Sequence, residues 1–408
     1  MWKLKTRLYP FQTDPPMAKM DDRGFLVTSP QKLKELYVKT YRDRLHNREM
    51  KDEIKDVYNL KTELWNIKMT ECTKKHSLDW TLNDLNMVLK KLKNNKSRDP
   101  SGLINEIFKP GVIGQDLKLG MLKLFNKIKS EQKLPSQLQL ANITTIYKQK
   151  GSRRDMENDR GIFVVSILRM ILESLIYNDK YACIDSNMTG SNIGARKERN
   201  IRDHLFIVYS IINSVVNGNE GPTDLQIYDV TKCFDSLWLN DVMLDLLDTL
   251  PEKDIDDKMS LLYLINTVNK VAIKTPHGLT ERIDINNIVM QGGKWGPLMC
   301  ANTIDKIGKK ALQRNVHLYC YKGLVKIPPL GMIDDLLVIT QCGNKSVSAN
   351  IFINNEIEFK KLRLHTAVNG KSSKCQVLHV GKSCGECKAL KVHDCEMNQA
   401  KFDTYLGM

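Results

Sequence analysis

"GMIDDLLVIT" (residues 331–340) sets two carboxylates side by side between apolar runs. Asp334 and Asp335 follow Gly331, Met332 and Ile333, and an apolar run rich in β-branched residues comes straight after. That pattern suits a strand, a tight turn and a second strand, with the Asp pair at the tip. A buried, unpaired carboxylate costs several kcal/mol, so the pair must be solvated or compensated by positive charge. Taken alone, the stretch also fits an ordinary exposed turn, where Asp is common.

A second acidic strand end lies upstream. In "LQIYDVTKCFDSLW" (225–238), Asp229 closes an apolar strand, and Phe234 and Asp235 follow. Three carboxylates at strand ends can hold two divalent cations about 3.5–4 Å apart, the arrangement that serves in-line phosphoryl transfer. Mg²⁺ needs only one or two protein carboxylates, with substrate phosphates and water completing its shell. The long gap between Asp229 and Asp334 is no obstacle, because loop-closure entropy grows slowly with length. Between them lies "VMQGGKWGPLMCANTIDKIG" (289–308). Gln291, Gly292 and Gly293 follow an expected strand and precede an expected helix. Glycine there lets backbone approach a ligand closely, and a Gln amide can hydrogen-bond a sugar or a base edge. Such a Gly pair is equally at home in a plain turn.

Composition sets the frame for these motifs. The chain has 408 residues and a net charge of +15, with a pI near 9.2. That length allows one to three domains, and so basic a chain points to a polyanionic partner, most often nucleic acid. Ribosomal, chromatin and membrane-surface proteins share the charge. The N-terminus "MWKLKTRLYPFQTDPPM" has no apolar leader segment, so the expectation is an intracellular protein, nuclear or cytoplasmic, with its 10 cysteines reduced. No run has the length of a membrane span. The most apolar helix candidate, "IFVVSILRMILESLIY" (162–177), carries Arg169 and Glu173 and reads as a buried core helix.

Along the chain, residues 1–79 are charged and helical in pattern, without evident chemistry. Helices dominate from 80 to about 225. Thr81 and Asp84 make a capping box for "LNDLNMVLKKLK", with Leu82, Leu85, Leu89 and Leu92 on one face. The basic loop "KNNKSRDPSG" follows, and "IRDHLFIVYSIINSVV" (201–216) is a further helix. From 225 to about 340 strands alternate with helices. "LQIYDV" is a strand, "LNDVMLDLLDTL" and "DKMSLLYLINTVNK" are helices, and "VAIKTPHGLTERIDI" is a hairpin around Pro276–Gly278. "ANTIDKIGKKALQ" is a helix with Pro297 suited to its first turn. A helix near 346–363 and a Cys-rich tail complete the chain. In that tail Cys384, Cys387, His393 and Cys395 could bind zinc, although the spacing is tight for a zinc finger and ordinary thiols are the simpler reading.

The ordered set Asp229…Phe234–Asp235, Gln291–Gly292–Gly293…Gly296–Pro297–Leu298, then Asp334–Asp335 resembles the A, B and C motifs of the reverse transcriptase palm, of the non-LTR retrotransposon type. The likeness extends outward. "KSRDPSGLINEIFK" (96–109), "ITTIYKQKGSRRDMENDRGIFVVSILRMILESLI" (143–176) and "TGSNIGARKERNIRDHLFIV" (189–208) are similar to that family's finger segments. "LHTAVNGKSSKCQVLHVGK" (364–382) resembles its motif D, and "YLGM" the start of motif E. The resemblance covers about 80–408. It implies an α/β (α+β) polymerase hand, with fingers over 80–225 and a palm over 226–408. The palm would be a small antiparallel sheet backed by helices, and 1–79 a helical basic extension. The thumb and the endonuclease are expected to be absent.

The resemblance also implies roles. Asp229, Asp334 and Asp335 would hold two Mg²⁺ (or Mn²⁺) ions, with the Val230 carbonyl facing the second. Phe234 would occupy the sugar-gate position that favours deoxynucleotides. Lys148, Lys150 and Arg160 would meet the triphosphate, and Gln291 and Gly292 would lie along the nucleotide. Lys374 would be the motif D proton donor, in competition with Lys371. The implied partners are an RNA template, a DNA primer or RNA–DNA hybrid, and dNTPs. Two departures stand out: Met332 replaces an aromatic before the Asp pair, and Gly161 replaces a proline in "NDRGI". An RNA-dependent RNA polymerase shares this palm logic but generally carries a polar residue at the gate, and a non-catalytic nucleic-acid-binding remnant is the other alternative.

Overall fold

The computed structural model describes residues 17–45, 52–149, 151–286, 288–314, 318–341, 345–361, 365–366, 375–381, 391–392 and 395–399. It is a mixed α and β chain of helices and several small sheets. No described helix is long and apolar enough to cross a membrane. The chain forms two compact units, Met1–Asp179 with Lys253–Lys294, and Lys180–Glu252 with Trp295–Met408. These divisions differ from the expected boundaries at 79 and 225, for reasons visible in the packing of each unit.

In the first unit, strand Leu140–Tyr147 pairs antiparallel with Asp159–Val165 and parallel with Val268–Thr275. Gly278–Leu279 and Ile283–Asn286 both pair with Val268–Thr275, so residues 253–294 are built into this sheet. Described helices of the N-terminal segment also pack in this unit. On helix Pro30–Leu45, Leu33, Tyr37 and Tyr41 recur every four residues, which places them on one face. That face shares a core with Ala141, Ile143, Phe163, Ile273 and Ile285. Helix Asp52–Lys74 puts Trp65 against Tyr263 of helix Asp257–Thr267, ring centroids 4.6 Å apart. The expected capping box of helix Leu82–Lys90 is present at Thr81 and Asp84, and Leu85, Leu89 and Leu92 are buried.

The packing also accounts for Gly161. A Cβ there would lie 2.5 Å from Tyr41 Cε1 and 2.9 Å from its Oη, so the close passage of helix Pro30–Leu45 leaves room only for glycine. The run 162–177 is not one helix as expected. Ile162–Val165 end a strand, and the helix Ile167–Asn187 starts after Ser166. The β-branched and aromatic residues Ile162, Phe163, Val164 and Val165 favour the strand, and helical periodicity begins only with Ile167.

In the second unit, the main sheet has the order Leu330–Met332, Asp335–Gln341, Thr223–Tyr228, Gln376–Val380, Asn398–Gln399. All pairings are antiparallel except the last. Leu225, Leu337 and Ile339 on one face pack against Val208, Ile211 and Val215 of helix Ile201–Val216. Side chains alternate across a strand, so Gln226 and Tyr228 face the other way. Tyr228 stacks on Phe352 at 4.4 Å, and its hydroxyl accepts from Asn355 Nδ2 at 3.0 Å. Both partners belong to helix Lys345–Lys361. The strand is thus covered on both faces, each buried large apolar side chain contributing about 1.5–3 kcal/mol. That packing fixes where its last residue and the neighbouring hairpin tip can point.

Candidate functional site

The hairpin predicted for residues 331–340 forms. Met332 pairs with Asp335, which leaves Ile333 and Asp334 as a two-residue turn. Ile333 has φ +61° and Asp334 is absent from the positive-φ residues, the pattern of a II′ hairpin turn. A β-branched residue there is a genuine outlier, since glycine normally takes that position. Asp334 is half-buried and Asp335 is exposed.

Strand Asp335–Gln341 runs beside Thr223–Tyr228 with Leu336 opposite Tyr228. The paired register ends there, so Asp335 and Asp229 are each the next residue beyond its last pair. The sheet therefore brings the three carboxylate-bearing residues to one end. Among the described residues no group of three or more Asp, Glu, His or Cys side chains is placed to hold a metal ion. Hard carboxylate oxygens, partly open to solvent, still suit Mg²⁺ or Mn²⁺, for which one or two protein carboxylates suffice when phosphates and water complete the shell.

Around Asp229 the chain is held by sulfur. Its backbone N–H donates to Cys375 Sγ at 3.4 Å. Val230 is buried and pairs with Thr366. Lys232, at φ 49°, leads into the short helix Cys233–Ser236. Phe234 and Asp235 there are half-buried. The Cys233 thiol lies 3.4 Å from that of Cys300. Its hydrogen bond with Cys300 and its burial push its pKa well up, and the charges of Asp334 and Asp235 add to the rise. The charges of Asp334 and Asp235 both bear on this thiol.

Lys148, Arg160, Gln291 and Gly292 lie in the first unit. Lys148 Nζ donates to the carbonyl of Glu157 at 2.7 Å. Arg160 is exposed, on strand Asp159–Val165. Gln291 uses its carbonyl to accept from Phe163 N–H at 2.8 Å. Gly292 has φ +112°, and a Cβ would lie 2.6 Å from the Phe163 carbonyl oxygen. The close approach expected of this glycine is made, and what approaches is the chain's own strand. Lys150, Lys374 and Lys371 lie outside the described residues, as do Cys384, Cys387 and His393 of the proposed zinc set.

Sequence reasoning missed a cavity of about 470 Å³ in this unit, lined by Lys91, Lys93, Lys96 and Lys294 together with Phe163 and Gly292. The loop bearing Lys96 is organised by Asp99, which is buried. Its carboxylate accepts from the N–H groups of Ser101 and Leu103 at 2.8 and 2.9 Å and from that of Ile167 at 3.1 Å. The run "KNNKSRDPSG" shows the charge, but not the cavity that the charge surrounds. No protein-family model matches the chain.

Proposed function

We propose that the chain is the RNA-directed DNA polymerase part of a retrotransposon-derived protein of the non-LTR type, which adds dNTPs to a primer 3′-hydroxyl. The observation that carries this reading is the placement of Asp229, Asp334 and Asp335 at one end of one antiparallel sheet, from sequence positions far apart. The second compact unit then corresponds to a polymerase palm. Asp229 and Asp334, with Asp335 beside them, would hold two Mg²⁺ or Mn²⁺ ions. When bound, such ions neutralise phosphate charge and make the primer hydroxyl easier to deprotonate. The protein's own part is mostly positioning. The strands fix the direction of the carboxylates, and the Phe234 ring, one residue beyond the anchored Cys233, would pack against a deoxyribose and disfavour a 2′-hydroxyl. That aromatic at the gate is the reason to prefer deoxynucleotides over the RNA polymerase reading.

The net charge of +15 and the lysine-lined cavity support a nucleic-acid partner, a template RNA with a DNA primer. Binding should weaken steeply with salt as counterions are released. The deciding experiment is extension of a labelled DNA primer on an RNA template with Mg²⁺, dNTPs or rNTPs, for the native chain and for Asp334→Asn. Extension with dNTPs that disappears in the variant supports the reading. Extension with rNTPs alone moves the chain to the RNA polymerase class. Salt-sensitive hybrid binding without extension leaves a non-catalytic binding remnant.

A further inference from the structure

Ile333 occupies a backbone conformation that persists only where the surroundings over-determine it. The loop Thr189–Arg196 supplies those surroundings. Asn192 is 1% exposed. Its Nδ2 donates to the Ile333 carbonyl at 2.9 Å, and its Oδ1 accepts from the Ile333 N–H at 3.1 Å and from the Gly194 N–H at 2.9 Å. One side chain thus holds both polar groups of the strained residue. The loop backbone closes on the same hairpin. Gly331 N–H donates to the Ser191 carbonyl at 2.7 Å, and Ile193 N–H donates to the Gly331 carbonyl at 3.0 Å. A Cβ on Gly194 would lie 2.2 Å from the Ile333 nitrogen, so the loop presses on the turn as closely as a glycine allows.

The loop is itself anchored. Asp305, on helix Gly296–Arg314 and 4% exposed, accepts from the N–H groups of Thr189 and Asn192 at 2.8 and 3.2 Å and from the Thr189 hydroxyl. Arg196 donates to the carbonyls of Thr189 and Asn192.

We infer that Asn192 is a positioning residue. By pinning the Ile333 peptide it fixes the II′ turn, and the turn aims Asp334 and Asp335. The inference rests on the nucleotidyl-transfer reading for its consequence, but not for its structural claim. Without Asn192, Ile333 is free to relax to negative φ, which rotates the peptide that carries Asp334.

The test uses the full chain with Asn192→Ala, Asn192→Asp, Ile333→Gly and the Asn192→Ala/Ile333→Gly double variant. Amide hydrogen exchange should speed up in the peptide covering 330–336 of Asn192→Ala and stay unchanged elsewhere. The Mg²⁺ concentration for half-maximal primer extension should rise about tenfold, as when an outer partner of a metal-binding carboxylate is lost, while KM for dNTP at saturating Mg²⁺ holds within about twofold of its native value. In the Ile333→Gly background the same change should cost much less, because glycine adopts positive φ unaided. Asn192→Asp retains the acceptor for Ile333 N–H and should fall between, and it serves if the alanine variant does not fold. Equal losses in both backgrounds, or native exchange at 330–336, overturn the inference. If the native chain extends no primer, the proposed function falls, and exchange at 330–336 in the two backgrounds still decides the role of Asn192.

Discussion

Arg169 and Glu173 in the first unit, and Asp334 and Asp335 in the second, are two pairs of charged residues set in apolar sequence, and the chain treats them in opposite ways. Arg169 is 0% and Glu173 1% exposed. The guanidinium Nε donates to Glu173 Oε1 at 3.0 Å and Nη1 to Asn269 Oδ1 at 2.5 Å. The second carboxylate oxygen of Glu173 accepts from Lys294 N–H at 3.3 Å. Opposite charges four residues apart on a helix meet, satisfy each other and disappear into the core. The aspartates have like charge, sit at a strained tip and remain open to solvent. One pair is built into the core, and the other lies at the surface end of its sheet.

The largest expected effect lies at the tip. Asp334→Asn keeps the shape and removes charge. Primer extension should fall about a thousandfold, equivalent to about 4 kcal/mol of lost transition-state stabilisation. The thermal midpoint should hold or rise, because repulsion between neighbouring carboxylates is relieved. An Asp334→Asn chain that unfolds early yet keeps extending primers would place this pair in the same class as Arg169–Glu173.

The mirror experiment acts on the buried pair. Glu173→Ala leaves a guanidinium inside the core without its carboxylate, at a cost of about 3–5 kcal/mol in urea unfolding. Replacing both partners, as in Arg169→Met/Glu173→Leu, should recover most of that loss, because no buried charge is left. A single variant as stable as the native chain would break the contrast from this side.

Much of this contrast is legible in the sequence, and the illegible part has a common cause. The hairpin at 331–340 and the capping box at Thr81 and Asp84 rest on local pattern, and each forms, while the strand expected over "LQIYDV" ends at Tyr228, before Asp229. The function of a loop residue such as Asn192 depends on contact with Ile333, far along the chain, and "TGSNIG" reads locally as a polar turn. Gly161 is similar. Its absent side chain makes sense only beside Tyr41, which belongs to a segment that carries no motif. Residues 162–165 depart from the expected helix for the opposite reason, since an unbroken apolar run fits a buried strand and a buried helix equally well.

Gly161→Ala measures how tightly the N-terminal helix is built into the first unit. The added methyl meets Tyr41 at 2.5 Å, and overpacking of this kind costs about 1–3 kcal/mol. Trimming the neighbour with Tyr41→Val should remove most of the penalty of the methyl group, as a double-mutant cycle in urea would show. An additive result would mean that helix Pro30–Leu45 yields easily, and that residues 1–79 are closer to the appended extension the sequence suggested.

His204 supplies the smallest effect and a third case between the two pairs, an ionisable group that is buried alone. It is 2% exposed on helix Ile201–Val216, and its Nδ1 has no hydrogen-bond partner among the described residues. Burial pulls its pKa from 6.5 down to about 4, against the weaker pull of the Asp203 charge in the other direction. The folded chain therefore resists protonation of this ring, while the unfolded chain takes the proton once the pH falls below 6.5. Stability that is fully present above pH 6.5 is lost as the pH falls towards 4, and no more is lost from this group below that. The thermal midpoint of the native chain should drop further between pH 6.5 and 4 than that of His204→Leu, by a few degrees, with the two curves parallel above pH 7. Parallel curves over the whole range would mean that the ring takes up its proton inside the fold, and that lone burial, like the buried pair, is compensated by groups around it.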